Sequence, residues 1–70
     1  MNWEDLVLKA EKLGYNFHNE SNLLNERLCK NFIYFDCDGT IWFENGSFVQ
    51  DLAINRTPDQ MYQIMLALED

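Results

Sequence analysis

The residues of this chain best suited to chemistry are few, and several fall close together. Within the run FIYFDCDGTIWF, Phe32 to Phe43, the string Asp36-Cys37-Asp38-Gly39-Thr40 sets two carboxylates around a thiol. Asp36 and Asp38 could hold a magnesium ion loosely. A calcium loop of the EF-hand type is excluded, because it needs ligands at positions 1, 3 and 5 with glycine at 6, whereas Gly39 follows Asp38 directly. The single histidine, His18, and the two cysteines, Cys29 and Cys37, make with Asp36 or Asp38 a four-ligand nitrogen, sulfur and oxygen set that zinc accepts. Their C-x7-C spacing is not the short signature of zinc modules, yet Cys37 in a turn and Cys29 just before the same strand could meet at a sheet edge. A metal would suit the size, since so short a chain builds one core worth only about 3–5 kcal/mol net. The alternative is that the cysteines are small buried hydrophobes, His18 is solvated, and no cofactor is required.

The same string, an apolar strand running into D-x-D-G-T, resembles the first motif of the haloacid-dehalogenase-like phosphotransferases. That resemblance implies Asp36 as nucleophile, Asp38 as acid/base and magnesium partner, and a parallel doubly wound sheet. It covers only Phe32–Thr40. Thirty residues follow Thr40, and hairpin and helix signals occupy most of them. Parallel strands need crossovers of a dozen or more residues, so the remaining sheet has no room. No lysine follows Lys30, so the family's lysine motif has no counterpart. The expectation is a protein that is not an enzyme, with a phosphatase-like use of Asp36 and Asp38 as the lesser alternative.

The elements that must position these residues can be read from periodicity. Trp3, Leu6, Val7, Ala10 and Leu13 share one face of a helix over 2–13, with Asn2 and Asp5 as a near capping box and Gly14 as a left-handed stop. Asp5 can pair with Lys9 one turn on. Residues 15–31 are ambiguous: Tyr15 to His18 alternates like a short strand, Ser21 could cap a helical turn through Leu23, Leu24 and Leu28, or 22–30 could be irregular. From Phe32, aromatic and β-branched runs punctuated by Asp38-Gly39 and Asn45-Gly46 predict a three-stranded antiparallel meander, with Phe43 opposite Phe48 and Glu44 opposite Ser47. Thr57, Pro58 and Gln60 then cap a second helix with an apolar stripe of Met61, Ile64, Met65 and Leu68. The expected fold is one α+β domain over 1–70, both helices on one face of the sheet.

Charge and aromatic content narrow the function. The formal net charge is −7, of which residues 31–70 carry −6. That half argues against direct binding to nucleic acid and suits a basic partner, or simply keeps the protein soluble. No apolar run approaches the roughly 18 residues of a membrane helix, and the charged, amphipathic N-terminus is no signal peptide, so a cytoplasmic protein with reduced cysteines is expected. Ten aromatic rings exceed what one covered sheet face can hide. Some of Phe32, Tyr34, Trp42 and Phe43 should therefore be exposed, paired in a homo-oligomer or used against a partner, unless 15–31 folds over the second face. Residues i and i+2 of a strand stand about 6.7 Å apart on one face, near the spacing of successive phosphates. Asp36 and Asp38 could imitate two phosphates, with Glu44, Asp51, Asp59, Glu69 and Asp70 extending the patch.

In overall character, though in no quotable motif, this small, acidic, aromatic-rich chain resembles the accessory proteins of phages and mobile elements, among them the anti-CRISPR inhibitors. The resemblance implies binding without catalysis. The expected partner is a basic nucleic-acid-binding protein, such as a CRISPR effector nuclease, contacted through Asp36, Asp38, Glu44, Asp51, Tyr34, Trp42 and Phe43. A zinc-stabilised assembly module built on His18, Cys29, Cys37 and Asp38 is the alternative.

Overall fold

Asn2 starts the first helix, α1 (Trp3–Lys12), as its spacing predicts. Its side-chain oxygen accepts from the Asp5 amide at 2.8 Å, and the Asp5 carboxylate accepts back from the Asn2 amide at 3.5 Å. Gly14, at φ +92°, stops the helix. Its amide donates to the Glu11 carbonyl and the Tyr15 amide to the Ala10 carbonyl, each at 3.1 Å, which satisfies the last turn and aims Tyr15 into the core. At the other end of the chain Thr57 caps α2 (Pro58–Leu68), exchanging hydrogen bonds with Gln60 at 2.9 and 3.2 Å. Lys9 lies 5.4 Å from the Tyr62 ring centroid, bringing the two helices together through a cation–π contact.

The computed structural model describes residues 1–19 and 26–69. Between the helices, β1 (Asn16–Asn19), β2 (Glu26–Lys30), β3 (Ile33–Asp36), β4 (Ile41–Asn45) and β5 (Phe48–Ala53) form one antiparallel sheet in chain order. The α+β class and the placement of the helices hold. The meander has five strands where the sequence predicts three, because the ambiguous segment supplies two more. Residues 26–30 are neither irregular nor helical; the turn expected through Leu23 and Leu24 lies outside the described residues, while Leu28 is a buried strand residue. The reason β2 is hard to read is that only Leu28 of its five residues is buried. Its other inward positions are charged and tied to the helices: Glu26 accepts from the Trp3 indole at 2.9 Å, while Lys30 donates to the Leu13 carbonyl and, at 2.7 Å, to Glu69.

The hairpin turns also differ from expectation. Asn31 and Phe32 make the β2–β3 turn at φ 52° and 68°, so Phe32 is a turn residue and not the first of a strand. Left-handed geometry suits asparagine but is rare for phenylalanine, which hides this turn from sequence inspection. In the β4–β5 hairpin the turn is Gly46-Ser47, one residue later than expected. Asn45 therefore opposes Phe48, Glu44 opposes Val49, and Phe43 opposes Gln50. Glycine at the first turn position, φ +62°, is what a type II′ turn requires.

Both helices lie on one face of the sheet. Leu6 and Ala10 of α1, Met61 and Met65 of α2, Tyr15, and the sheet residues Leu28, Phe35 and Ile41 form the buried core. Leu28, Phe35 and Ile41 are successive cross-strand neighbours, so the core runs across the middle of the sheet. Tyr15 meets Phe35 edge to face at 5.7 Å. The described parts of residues 15–31 extend the sheet sideways and do not cover its second face. No helix among the described residues is long and apolar enough to cross a membrane.

The β3–β4 loop is clamped to the β5–α2 connection. Gly39 is left-handed at φ +94°, and the Arg56 amide donates to its carbonyl at 2.9 Å. A Cβ on Gly39 would stand 2.5 Å from the Arg56 carbonyl oxygen, whereas one on Gly46 would meet nothing within 4 Å. Gly39→Ala is expected to destabilise by more than about 2 kcal/mol and Gly46→Ala by about 1 kcal/mol, the cost of left-handed backbone alone. Urea midpoints at unchanged m-value check the difference. Burial, and then the charges of Glu69 and Cys29, raise the Tyr15 phenol from 10.0 to about 12. Its contribution is thus complete below the unfolded value and is lost as pH rises from 10 towards 12. Stability should fall there by about 1.4 kcal/mol per pH unit more in the native protein than in Tyr15→Phe.

Candidate interaction face

Strand alternation decides what the uncovered face carries. Phe35 and Ile41 point to the helices, so Tyr34 on β3 and Trp42 on β4 point away, as do Cys29 and Arg27 on β2 and Asp51 on β5. Tyr34 and Trp42 are direct cross-strand partners, and their rings stack at 5.1 Å with planes 7° apart. Each covers one face of the other, which leaves the second face of Trp42 turned towards β5. Asp51 is the β5 partner of Trp42, and the Trp42 indole N–H donates to the Glu44 carboxylate at 3.1 Å. Glu44 and Asp51 are therefore diagonal neighbours about 7 Å apart. On the other side a side-chain hydrogen bond with Cys29 and the Cys29 charge raise the Tyr34 phenol above 10.0, with Glu44 adding to the effect and Arg27 opposing it.

Four of the seven residues expected to touch a partner are thus gathered on one face: Tyr34, Trp42, Glu44 and Asp51. The other three are placed differently. Phe43 points to the helix side and joins an edge-to-face row with Phe32 at 6.3 Å and Phe48 at 6.0 Å, where Phe32 and Phe48 are more than half exposed. Asp36 shares the Tyr34 side by register, as the β3 partner of Arg27, but is buried, and Asp38 lies in the loop. The expected pair of phosphate-like acids on one strand does not form from Asp36 and Asp38; the Glu44 and Asp51 diagonal is the nearest equivalent. Of the acids expected to extend that patch, Asp59 salt-bridges the N-terminal amine at 3.2 Å, Glu69 binds Lys30, and Asp70 lies outside the described residues.

The D-x-D-G-T string has a local structural use. The Asp36 carboxylate accepts from the Asp38 amide at 3.2 Å and the Asp38 carboxylate from the Thr40 amide at 2.9 Å. The Gly39 amide donates to the Asp36 carbonyl at 3.0 Å, and the Asp36 amide to the Thr40 carbonyl at 2.9 Å. This is a turn closed by a left-handed glycine, with each aspartate holding the amide two residues on. It is longer than the two-residue hairpin that Asp38-Gly39 suggests. The surrounding sheet is antiparallel throughout, unlike the parallel sheet that the phosphotransferase resemblance implies.

The four expected zinc ligands are not brought together. Cys29 is half-buried in β2 beside Tyr34, and Cys37 is in the loop, its amide donating to the Glu26 carbonyl at 3.0 Å. Glu26 is three residues along β2 from Cys29, a separation of about 10 Å. His18 opposes Arg27 on β1, and no three His, Cys, Asp or Glu side chains among the described residues form a metal-holding group. A cleft lined by Glu4, Val7, Leu8, Phe17 and Glu26 holds none of the metal-binding or partner-binding candidates read from the sequence. Arg27 and Val49 are face residues that sequence reasoning missed, since their orientation follows only from the five-strand register.

No protein-family model, curated protein or solved structure matches this chain. Partial burial raises the Cys37 thiol above 9.0, with its hydrogen bond to Asp36 and the charges of Asp36 and Asp38 adding to the rise and the Glu26 backbone bond opposing it. In a Cys29→Ser protein, alkylation of Cys37 by iodoacetamide should accelerate at higher pH when folded than in urea. Asp38→Asn should move the folded profile part of the way back.

Proposed function

We propose that this protein is a non-catalytic inhibitor that binds another protein through the uncovered sheet face, occupying a basic surface that would otherwise hold nucleic acid. The single observation that carries the reading is the half-buried Tyr34–Trp42 stack on the sheet face opposite the helices, with Glu44 and Asp51 beside it. A lysine or arginine approaching the β5 side of Trp42 meets an aromatic ring and two carboxylates together. Each such contact is weak when exposed, about 0.5–1 kcal/mol for a cation over the ring and 0.2–1 kcal/mol for an ion pair. Useful affinity then needs several together, and long-range attraction speeds the encounter. From Asn31 to Asn55 there are four acids and no lysine, arginine or histidine, so this part of the sheet repels polyanions and attracts their binding sites.

The anti-CRISPR-like character of the sequence fits the same mode. A partner of that class is an effector nuclease whose basic channel is blocked to DNA or guide RNA. The test starts with affinity capture from the native host and measures the captured protein in isolation. Affinity should fall at least tenfold between 50 and 300 mM salt and at least tenfold in Trp42→Ala/Glu44→Gln/Asp51→Asn, and nucleic acid should compete. A partner whose binding ignores ionic strength, the triple substitution and nucleic acid alike would remove the proposal.

A further inference from the structure

The two edges of the sheet are unlike. β1 is four residues long, Asn16-Phe17-His18-Asn19, and mostly polar. β5 is six residues long, pairs only with β4, and has neither proline nor lysine. Phe48, Val49 and Leu52 on β5, and Ile54 just after it, are each more than half exposed. Edge strands usually carry charges, prolines or strong bulges that prevent further pairing. Here Asp51 is the one charge in Phe48–Ala53, and the irregularity opposite Ile41 and Trp42 lies towards one end. Phe48 to Gln50 is left as a regular edge with every second N–H and C=O turned outward.

We infer that β5 is a docking edge on which an extended, basic segment of a partner protein adds as a sixth strand. Charge selects this occupant over a second copy. Each copy brings a net −7, and pairing β5 with β5 sets two acidic sheets side by side. A strand alternating apolar and basic residues avoids that repulsion. Its apolar side chains continue the helix-side row Phe43–Phe48, while its lysines or arginines stand beside Asp51 on the open face, one strand from Glu44 and Trp42. Main-chain hydrogen bonds supply the affinity and the alternate side chains the selectivity, as in other strand-addition complexes. Only the basic character of the added strand rests on the function proposed above; the pairing itself rests on the edge.

The probes are acetylated, amidated octapeptides added to the full-length 15N-labelled protein. One alternates lysine and valine, one alternates glutamate and valine, and one is the lysine peptide with every backbone nitrogen methylated. The lysine peptide should slow exchange of alternate amides in Phe48–Ala53 at least tenfold and bind at least tenfold more tightly than the glutamate peptide. Methylation should abolish both effects, and Asp51→Asn should reduce the preference for lysine severalfold. Trp42→Ala/Glu44→Gln should leave the protection of β5 in place, so a failure of the open-face reading is distinguishable from a failure of this one. The inference is overturned if the methylated peptide binds as well as the parent, or if no peptide protects β5. It is likewise overturned if β5 is protected in the protein alone with a mass that doubles with concentration, which would make a second copy the occupant.

Discussion

The structure depends on burial being one-sided. Two helices of ten and eleven residues are set against five strands, and every core side chain of the sheet points towards them. In a chain of this size the apolar area removed from water barely exceeds the entropy of ordering, so the single layer between sheet and helices must be closely filled. Phe35 sits at its centre, touched by Tyr15 and flanked across the strands by Leu28 and Ile41. Once those residues point inward, the pleat sends Tyr34, Trp42, Glu44 and Asp51 outward. The proposed interaction face is the geometrical complement of the core.

Polar contacts at the rim of that layer compensate for its small area. Lys30 joins the ends of both helices to β2, interacting with the Leu13 carbonyl, Glu69 and the Tyr15 ring. Trp3 and Glu26 do the same at the start of α1. At the opposite end from the β2–β3 turn, Gly39 lets two backbone segments approach closer than any side chain allows. These contacts explain why charged residues occupy inward positions of β2 without leaving a buried side-chain atom unpaired among the described residues. The D-x-D-G-T string has a structural use in the same rim. Asp36 and Asp38 are held by loop amides, and Gly39 by Arg56.

Much of the fold is legible in the residues themselves. The capping boxes at Asn2 and Thr57, the stop at Gly14, the two helical stripes apart from the exposed Leu68, and the strands after Phe32 follow from local rules that tertiary contacts reinforce. What escapes inspection has a common cause. β1 and β2 have little apolar alternation because they are held by pairing and by charged contacts to the helices. Asn31-Phe32 is a left-handed turn without glycine, and Gly46-Ser47 competes with the equally plausible Asn45-Gly46.

For the candidate site, the sequence alone determines the ingredients: an acidic second half without bases from Asn31 to Asn55, more aromatic rings than one face can cover, and a set of helices too small to cover two. The tertiary structure decides how they are divided. It stacks Tyr34 on Trp42, sets Glu44 and Asp51 beside them, turns Phe43 to the other face, and buries Asp36 at the end of β3 with its carboxylate on the Asp38 amide. It also leaves β5 as the bare edge by adding β1 and β2 on the far side. The physical reason is the period of two along a strand. A shift of one residue in register exchanges the faces of every side chain, and only the full set of pairings fixes that register.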